Sequence, residues 1–160
     1  MPRQSFALYV FSLAWLTLAG CATPYQPEGF RGGYSDLQID VNTFRVDFRG
    51  NGFTSRRTVE IYLLYRCAEL TVEKGYDYFI VVDRGSEVKT GGYTTPGSFE
   101  AYSYGGSTSG TYTPGQTYTY SKHGGTMIIK SYKGTKPSEN PAAFDARELL
   151  NYMAGQVQKP

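Results

Sequence analysis

Apolar residues occupy alternate positions in two short sets of opposite parity, Leu37, Ile39 and Val41 followed by Phe44, Val46 and Phe48. Successive side chains of a strand point to opposite faces of a sheet, so a single strand cannot contain both sets. We therefore predict two strands joined by a turn at Asn42-Thr43. In a two-residue hairpin of this kind, Val41 and Phe44 pair and lie on the same face.

A long helix is predicted after Gly50-Asn51-Gly52, which closes the second strand, and before Gly75. Thr54 or Ser55 is a suitable N-cap, and glycine is typical directly after a helix end. Apolar residues form two arcs on this helix and leave one narrow polar stripe of Tyr62, Arg66, Glu69 and Glu73. Because so much of its surface is apolar, we expect a sheet to cover one side and the C-terminal segment to cover the other.

The remaining apolar segments complete an α+β pattern. Tyr76 to Asp83 is rich in aromatic and β-branched residues and predicts a central strand buried on both faces. Thr126 to Tyr132 predicts another strand, and Pro141 to Gln156 predicts a closing helix with Pro141 near its first turn. This helix has an apolar face of Phe144, Leu149, Tyr152 and Met153. We therefore predict a two-layer sandwich, in which a small, mainly antiparallel sheet is packed by one long helix and the C-terminal helix.

Residues 85–125 are rich in Gly, Ser, Thr and Tyr and contain few aliphatic side chains. A segment of this composition does not form a core of its own. Tyr102 and Tyr104 are two positions apart, as are Tyr118 and Tyr120, so the two members of each pair would lie on the same face of a strand. A tyrosine-faced hairpin and a disordered loop are both compatible with the pattern. The pattern favours an extended hairpin with a mobile tip around Gly105 to Gly115.

The first residues have the pattern of an export signal. Arg3 is followed by the apolar stretch Phe6 to Leu18, which is too short for a membrane-spanning helix. The sequence Leu18-Ala19-Gly20-Cys21 resembles the lipobox of bacterial lipoproteins. The resemblance implies that Cys21 is acylated and becomes the first mature residue, and Ala22 implies sorting to the outer membrane. The alternative is an ordinary signal peptide that ends near a cysteine.

These features predict a signal peptide at residues 1–20, a tether at 21–33 and a single domain at 34–156. The tether prediction depends on the Pro- and Gly-rich sequence of residues 22–33, which has no apolar periodicity. It would hold the domain away from the membrane surface. The 140 residues after the signal are enough for one domain with a modest core.

Charge and cysteine content limit the kinds of function that the sequence supports. Arg3 is the only basic residue of the first 20, so 15 of the 16 basic residues remain against 14 acidic ones. This near-neutral balance gives no indication of nucleic-acid binding. If Cys21 carries lipid, Cys67 is the only other cysteine and no internal disulfide is expected. We predict that Cys67 is a buried helical residue rather than a reactive thiol.

Several sequence blocks are similar to an uncharacterised family of small lipoproteins of Gram-negative bacteria. The similarity depends on the lipobox and on blocks in the first half of the mature chain, namely Gly33-Tyr34-Ser35, Phe48 to Thr54, Tyr62 to Thr71 and Gly75 to Phe79. The resemblance implies a location in the cell envelope, on the inner leaflet of the outer membrane and facing the periplasm. It implies no activity, and therefore no catalytic residue.

Candidate catalytic or metal-binding groups are few. His123 is the only histidine, and the chain has neither an HExxH nor a CxxC motif, so we expect no metal site, no cofactor and no catalytic residue. We interpret His123 as a solvated loop residue. The alternative, a cell-wall-modifying enzyme, would require an exposed Cys67 next to His123. We interpret Gly50-Asn51-Gly52, which precedes Arg56-Arg57, as a tight turn rather than an anion site.

Arg66 and Glu69 are one turn apart on the polar stripe of the predicted helix. On an exposed helix such a pair is a weak surface salt bridge, and on a covered helix it is a buried structural clamp.

The tyrosines of residues 93–120 are the candidate binding residues, and Tyr102, Tyr104, Tyr118 and Tyr120 are the specific candidates. Exposed aromatic rings contact proteins and stack on sugars, and tyrosine is also common in strands for structural reasons. We therefore predict a non-enzymatic envelope lipoprotein that contacts a protein partner or has a role in envelope maintenance. The alternative is a lipoprotein that binds peptidoglycan or another glycan.

Overall fold

A computed structural model describes residues 21–160, and the predicted export signal at 1–20 lies outside this range. The α+β prediction is confirmed. In chain order the strands and helices are β1 (Gly33–Asp40), β2 (Thr43–Arg49), α1 (Arg56–Glu73), β3 (Tyr78–Thr94), β4 (Ser98–Tyr104), β5 (Ser107–Thr113), β6 (Thr117–Tyr132), β7 (Ala143–Asp145) and α2 (Ala146–Met153). A short 3-10 helix at Ala154–Gln156 follows α2.

Five strands form one antiparallel sheet in the order β1-β2-β6-β3-β7, and β4 and β5 form a separate two-stranded sheet. Helix α1 packs across the sheet, and α2 packs beside α1. The core between the two layers includes Phe44, Val46, Phe48, Leu63, Cys67, Phe79 and Ile129. Gly125 of β6 allows the helix to approach closely, because a Cβ atom at this position would lie 2.7 Å from a methyl carbon of Leu63.

Helix α1 begins and ends where the sequence predicts. Ser55 is the N-cap, and its hydroxyl oxygen accepts a hydrogen bond from the backbone N–H of Thr58. Gly75 follows the C-cap residue Lys74 with φ +78°, a left-handed conformation that glycine adopts without a steric penalty. The predicted polar stripe of this helix is covered over most of its length, since Tyr62 and Arg66 are buried and Glu69 is partly buried, whereas Glu73 at its end is exposed.

The predicted register of the first hairpin is wrong. A bulge between Gln38 and Asp40 pairs Asp40 with Thr43, so the turn lies at positions 41–42 and not at Asn42-Thr43. Val41 therefore does not pair with Phe44. Phe44, Val46 and Phe48 face the helix, whereas Leu37 and Ile39 of β1 and Val41 of the turn are exposed.

The segment 76–83 is not buried on both faces. Phe79 is fully buried under the helices, but Tyr78, Ile80 and Val81 are only partly buried and Val82 is exposed. Strand β3 does lie inside the sheet, between β6 and β7. The prediction fails because no described element covers the second face of the sheet.

The closing helix begins later than predicted. Residues 143–145 form β7, which pairs with β3, and Asp145 is the N-cap of α2. Pro141 therefore precedes the helix, and Phe144 lies on a strand, where its ring stacks on Phe79 with centroids 5.5 Å apart. Leu149 and Met153 pack against the core, but Tyr152 is exposed.

The predicted tether at 21–33 packs against the domain. Tyr25 is only 4% exposed and lies among the rings of Tyr34, Tyr62 and Tyr65, and Thr23 is buried. The backbone N–H of Tyr25 donates to the carbonyl of Gln158 near the C-terminus. Thr23 and Tyr25 are therefore packed into the domain, and no flexible spacer separates Thr23 from the core.

Candidate functional site

Residues 88–123 form a two-stranded projection, which we call the tyrosine ribbon. Strand β2 pairs with β6 only as far as Gly124, and beyond this point β3 and β6 continue with each other alone to the Thr94–Thr117 pair. The β4–β5 hairpin follows. A seven-residue strand is about 23 Å long, so each of the two parts of the ribbon has roughly this length. Of the two alternatives for residues 85–125 the structure has the hairpin, which the pattern favours, but its tip is the turn at Gly105-Gly106 and the following residues form β5.

Prolines and glycines shape the ribbon at its middle and at its tip. Pro96-Gly97 and Pro114-Gly115 interrupt both chains between its two parts, where proline provides no N–H for a strand ladder. A Cβ atom at position 115 would collide with the carbonyl oxygen of Thr95. At the tip, Gly105 and Gly106 both have positive φ, which suits the two-residue turn of a hairpin.

Aromatic rings lie across glycines of the ribbon. A Cβ atom at Gly91 would lie 2.6 Å from the ring of Tyr120, its cross-strand partner. A Cβ atom at Gly97 would lie 2.7 Å from the hydroxyl of Tyr112. This arrangement, in which an aromatic side chain shields a glycine of the opposite strand, stabilises a sheet with little other side-chain packing. It gives a structural reason for the Gly- and Tyr-rich composition.

The four candidate tyrosines are all exposed, but they lie in two places. Tyr118 and Tyr120 are on β6, and the ring of Tyr118 stacks on that of its cross-strand partner Tyr93 on β3, with centroids 5.2 Å apart. Tyr102 and Tyr104 are on β4 in the distal hairpin, where Tyr104 is 93% exposed. The bend at the prolines separates the two pairs.

The other face of the distal hairpin also carries aromatic residues, which were not among the candidates predicted from the sequence. Phe99 and Tyr112 are cross-strand partners there, and both are exposed. Their parity is opposite to that of Tyr102 and Tyr104, so the distal hairpin presents rings on both faces. In the sequence, Phe99 is at an odd position whereas Tyr102 and Tyr104 are at even positions, and this pattern predicts aromatic rings on both faces of a strand.

Cys21 is exposed and lies beside the loop before α1. Its carbonyl oxygen accepts a hydrogen bond of 2.7 Å from the side-chain amide of Asn51. Thr23 is held on both sides: its backbone N–H donates to the Thr54 hydroxyl, and its own hydroxyl donates to the carbonyl of Arg31. The predicted lipidation site is therefore held against the folded domain.

The loop at Gly50-Asn51-Gly52 is a tight turn. The backbone N–H groups of Gly50, Asn51, Phe53 and Thr54 all donate hydrogen bonds within the protein. Donors that are already paired are not available to bind an anion.

Arg66 is the centre of a buried ion cluster that joins β1 to α1. Its guanidinium forms two hydrogen bonds to Asp36, at 2.9 and 2.7 Å, and two to Glu73, at 2.9 and 3.0 Å. Burial opposes the charge of Arg66, but the bonds to Asp36 and Glu73 outweigh this effect and raise its pKa further. The structure therefore supports the interpretation of the Arg66–Glu69 pair as part of a buried clamp.

The first residues after Cys21 join the same cluster. The hydroxyl of Tyr25 donates a hydrogen bond to Glu69, which also accepts one from Lys159. Burial and then this bond to a carboxylate raise the pKa of Tyr25, so the hydroxyl keeps its proton and acts as a donor. The cluster thus connects both ends of the described chain to α1.

Cys67 and His123 lie on different elements. Cys67 is fully buried in α1, as predicted, and desolvation raises the pKa of its thiol, which disfavours the nucleophilic thiolate. The prediction that His123 is a solvated loop residue is wrong, because it is a half-buried residue of β6 opposite Val88. Its Nδ1 atom is buried and has no hydrogen-bond partner within residues 21–160.

Two other features of residues 21–160 bear on the site. No group of three or more His, Cys, Asp or Glu side chains in this range is arranged to hold a metal ion. Neither helix in the described part of the chain is long and apolar enough to cross a membrane.

Comparisons of the chain with protein families, with characterised proteins and with solved structures give no match.

Proposed function

We propose that this protein is a lipid-anchored envelope protein, attached to the membrane through Cys21 and facing the periplasm, and that its tyrosine ribbon binds a partner protein. The apolar stretch at 6–18 and the sequence Leu18 to Cys21 support the anchor, and the resemblance to outer-membrane lipoproteins supports the location. The role that fits is non-enzymatic, in interaction or envelope maintenance.

The observation that carries the proposed interaction is the distal hairpin. Strands β4 and β5 pair only with each other, so each has an outer edge with unpaired backbone groups. Every residue of both strands is exposed. A two-stranded hairpin without a core is marginally stable alone. A partner that added a strand to one edge and covered the rings would supply the missing contacts.

The placement of the rings favours a protein over a glycan on the distal hairpin. A sugar that stacked on Tyr102 and Tyr104 would cover one face of this hairpin and leave the rings of Phe99 and Tyr112 exposed on the other face. A protein groove can enclose both faces of the hairpin. Tyrosine is also among the residues that contribute most to protein interfaces.

A glycan remains the second candidate because of a different group of rings. Tyr93, Tyr118 and Tyr120 share one face of the part of the ribbon nearest the sheet, by the register of β3 and β6. The ammonium group of Lys122 lies 5.5 Å from the ring centroid of Tyr120 on the same strand. Neighbouring rings with a polar group beside them form a surface on which a sugar could stack.

Removal of the ribbon tests the proposal. Thr90 and Ser121 are cross-strand partners, so joining them through Asn-Gly replaces residues 91–120 with a short hairpin turn. The bond from the N–H of Gly50 to the carbonyl of His123 is kept in this variant. We expect the variant to fold and to be acylated, but to lose the partner that crosslinks to the full chain in cells. An unchanged set of crosslinked partners would contradict a role of the ribbon in binding.

Sedimentation with peptidoglycan sacculi separates the two candidates. The comparison uses the wild-type chain, a variant with alanine at Tyr93, Tyr118 and Tyr120, and Tyr152→Ala as a control on a different element. The protein-partner proposal predicts no sedimentation of any of the three. Sedimentation that is lost only in the triple variant would favour the glycan.

A further inference from the structure

The residues that follow the proposed lipid anchor fix its position relative to two loops. The hydroxyl of Thr23 donates a 2.8 Å hydrogen bond to the carbonyl of Arg31 and accepts a 2.9 Å bond from the N–H of Asn51. One buried side chain therefore joins the loop at 29–32 to the loop at 50–54. Cys21 is two residues away, and two residues of chain span at most about 7 Å.

Each of these two loops carries an exposed phenylalanine. Phe30 lies at the tip of the turn from Gly29 to Gly32, whose backbones exchange hydrogen bonds of 3.1 and 3.0 Å, and its side chain is fully exposed. Phe53 is 74% exposed, and its N–H donates to the side chain of Asn51, which also holds the carbonyl of Cys21. Two large apolar side chains therefore lie on the two loops that Thr23 joins, and neither contributes to the core.

Basic residues adjoin both phenylalanines. Arg31 follows Phe30, and Arg57 lies near Phe53 in the first turn of α1. Within residues 21–160 neither of these two arginines forms a salt bridge, whereas the nearby acids Glu28 and Glu60 are paired with Arg49 and Arg56. The surface around Cys21 therefore has an excess of positive charge, which is complementary to anionic phospholipid headgroups.

We infer that this surface is a membrane-contact site, with Phe30 and Phe53 inserted among the lipid headgroups on either side of the acylated Cys21. The inference rests on the proposed lipid anchor, and it adds how the domain is oriented relative to the membrane. The occupant is the bilayer surface itself, because the acyl chains on Cys21 bring these loops within a few ångströms of it. The tyrosine ribbon leaves the sheet at the same end, where Tyr120 adjoins Gly52, so in this orientation the ribbon extends along the bilayer surface rather than away from it. Exposed aromatic and basic side chains are typical of proteins that lie on a membrane surface, and a second contact strengthens the attachment that acyl chains provide.

Tryptophan fluorescence tests this orientation in the processed, acylated protein. The only tryptophan of the chain, Trp15, lies in the predicted signal, so the processed protein has none. Phe30→Trp and Phe53→Trp each introduce one reporter. Val41→Trp is the control, because Val41 is exposed and lies in the turn before β2, and the length of this strand, about 23 Å, separates the turn from Arg49. The processed proteins are reconstituted into vesicles of phosphatidylethanolamine and phosphatidylglycerol with brominated acyl chains.

We expect brominated lipid to quench the fluorescence of the Phe30→Trp and Phe53→Trp proteins and to leave that of the Val41→Trp protein unchanged. Absence of quenching at positions 30 and 53, in a protein whose acylation mass spectrometry confirms, would overturn the contact site and leave the anchor intact. Equal quenching at all three positions would also overturn it. A processed protein without acyl chains would contradict the anchor itself, and the inference with it.

Discussion

The backbone N–H of Thr23 donates a 2.9 Å hydrogen bond to the hydroxyl oxygen of Thr54, directly before the N-cap of the long helix. Both residues are buried. The segment that leaves the proposed lipid anchor is therefore part of the folded domain from its third residue. This relationship changes the expected picture of the molecule from a domain on a flexible tether to a domain held close to its anchor.

Tyr25→Ala is expected to lower the free energy of unfolding by about 3 kcal/mol, because it removes a buried aromatic side chain from a well-packed cluster. Chemical denaturation of the processed protein measures this change. Tyr152→Ala is the matched control, since Tyr152 is 82% exposed and its loss should change stability by less than about 0.5 kcal/mol. Equal, small effects would show that residues 21–33 act as a tether after all.

Arg66→Leu is expected to destabilise the protein by about 3 kcal/mol, because Asp36 and Glu69 would remain largely covered without their cationic partner. Arg56→Leu on the same helix removes the exposed Arg56–Glu60 pair and should cost less than about 1 kcal/mol. Denaturation midpoints at neutral pH provide the comparison. If the two variants lost similar stability, the Arg66 cluster would not act as a buried clamp.

Gly115→Ala is expected to open the bend of the tyrosine ribbon, because the new Cβ atom would collide with the carbonyl oxygen of Thr95. The ribbon has no contact with the core at this point, so the global unfolding transition should hardly change. Limited proteolysis should cut the variant faster within residues 95–117. In Gly85→Ala the nearest atom lies 3.9 Å from the new Cβ, and this control should be cut at the wild-type rate.

Asp77→Asn is expected to change how the free energy of unfolding depends on pH. The N–H of Gly134, and then the guanidinium of Arg147, lower the pKa of the Asp77 carboxyl below its usual value. The folded state therefore binds this proton more weakly than the unfolded chain does. The stabilisation is complete above the usual aspartate pKa and disappears as the pH falls through the lowered value.

We therefore expect wild type to be more stable than Asp77→Asn at neutral pH, and the two to converge as the pH falls through the lowered pKa of Asp77. Thermal unfolding from neutral to acid pH measures the difference. Asp83→Asn, which removes an exposed aspartate with no salt bridge in the described chain, is the control and should be as stable as wild type at neutral pH. A constant difference between Asp77→Asn and wild type across this range would exclude the assigned linkage.

The parts of the fold that depend on local sequence could be predicted. The ends of α1 follow from the Ser55 hydroxyl and from the left-handed conformation of Gly75, which are properties of single residues. The two sets of alternating apolar residues have opposite parity, and this was enough to predict that β1 and β2 are two strands joined by a turn. The alternating pattern does not say which face the rest of the chain covers, however, and so the exposure of Leu37 and Val82 could not be foreseen.

The features that depend on long-range contacts were missed. The segment 21–33 has no periodicity, and it is held by individual side chains such as Thr23 and Tyr25, whose partners lie far away in the sequence. In the ribbon the parity of the tyrosines was visible, but their position over Gly91 and Gly97 depends on the cross-strand register. The bulge between Gln38 and Asp40 likewise shifted a turn by one residue.

Photo-crosslinking from the distal hairpin in living cells tests most directly whether the ribbon binds a partner protein. Benzoylphenylalanine is introduced in place of Tyr102 or Tyr112, which lie on opposite faces of the hairpin, and in place of Tyr152 as an exposed control on α2. Our account predicts the same protein crosslinked from both hairpin positions, none from Tyr152, and loss of the product when Cys21→Ser removes the anchor. Absence of a crosslinked protein at both hairpin positions, in a chain that is acylated and folded, would contradict it.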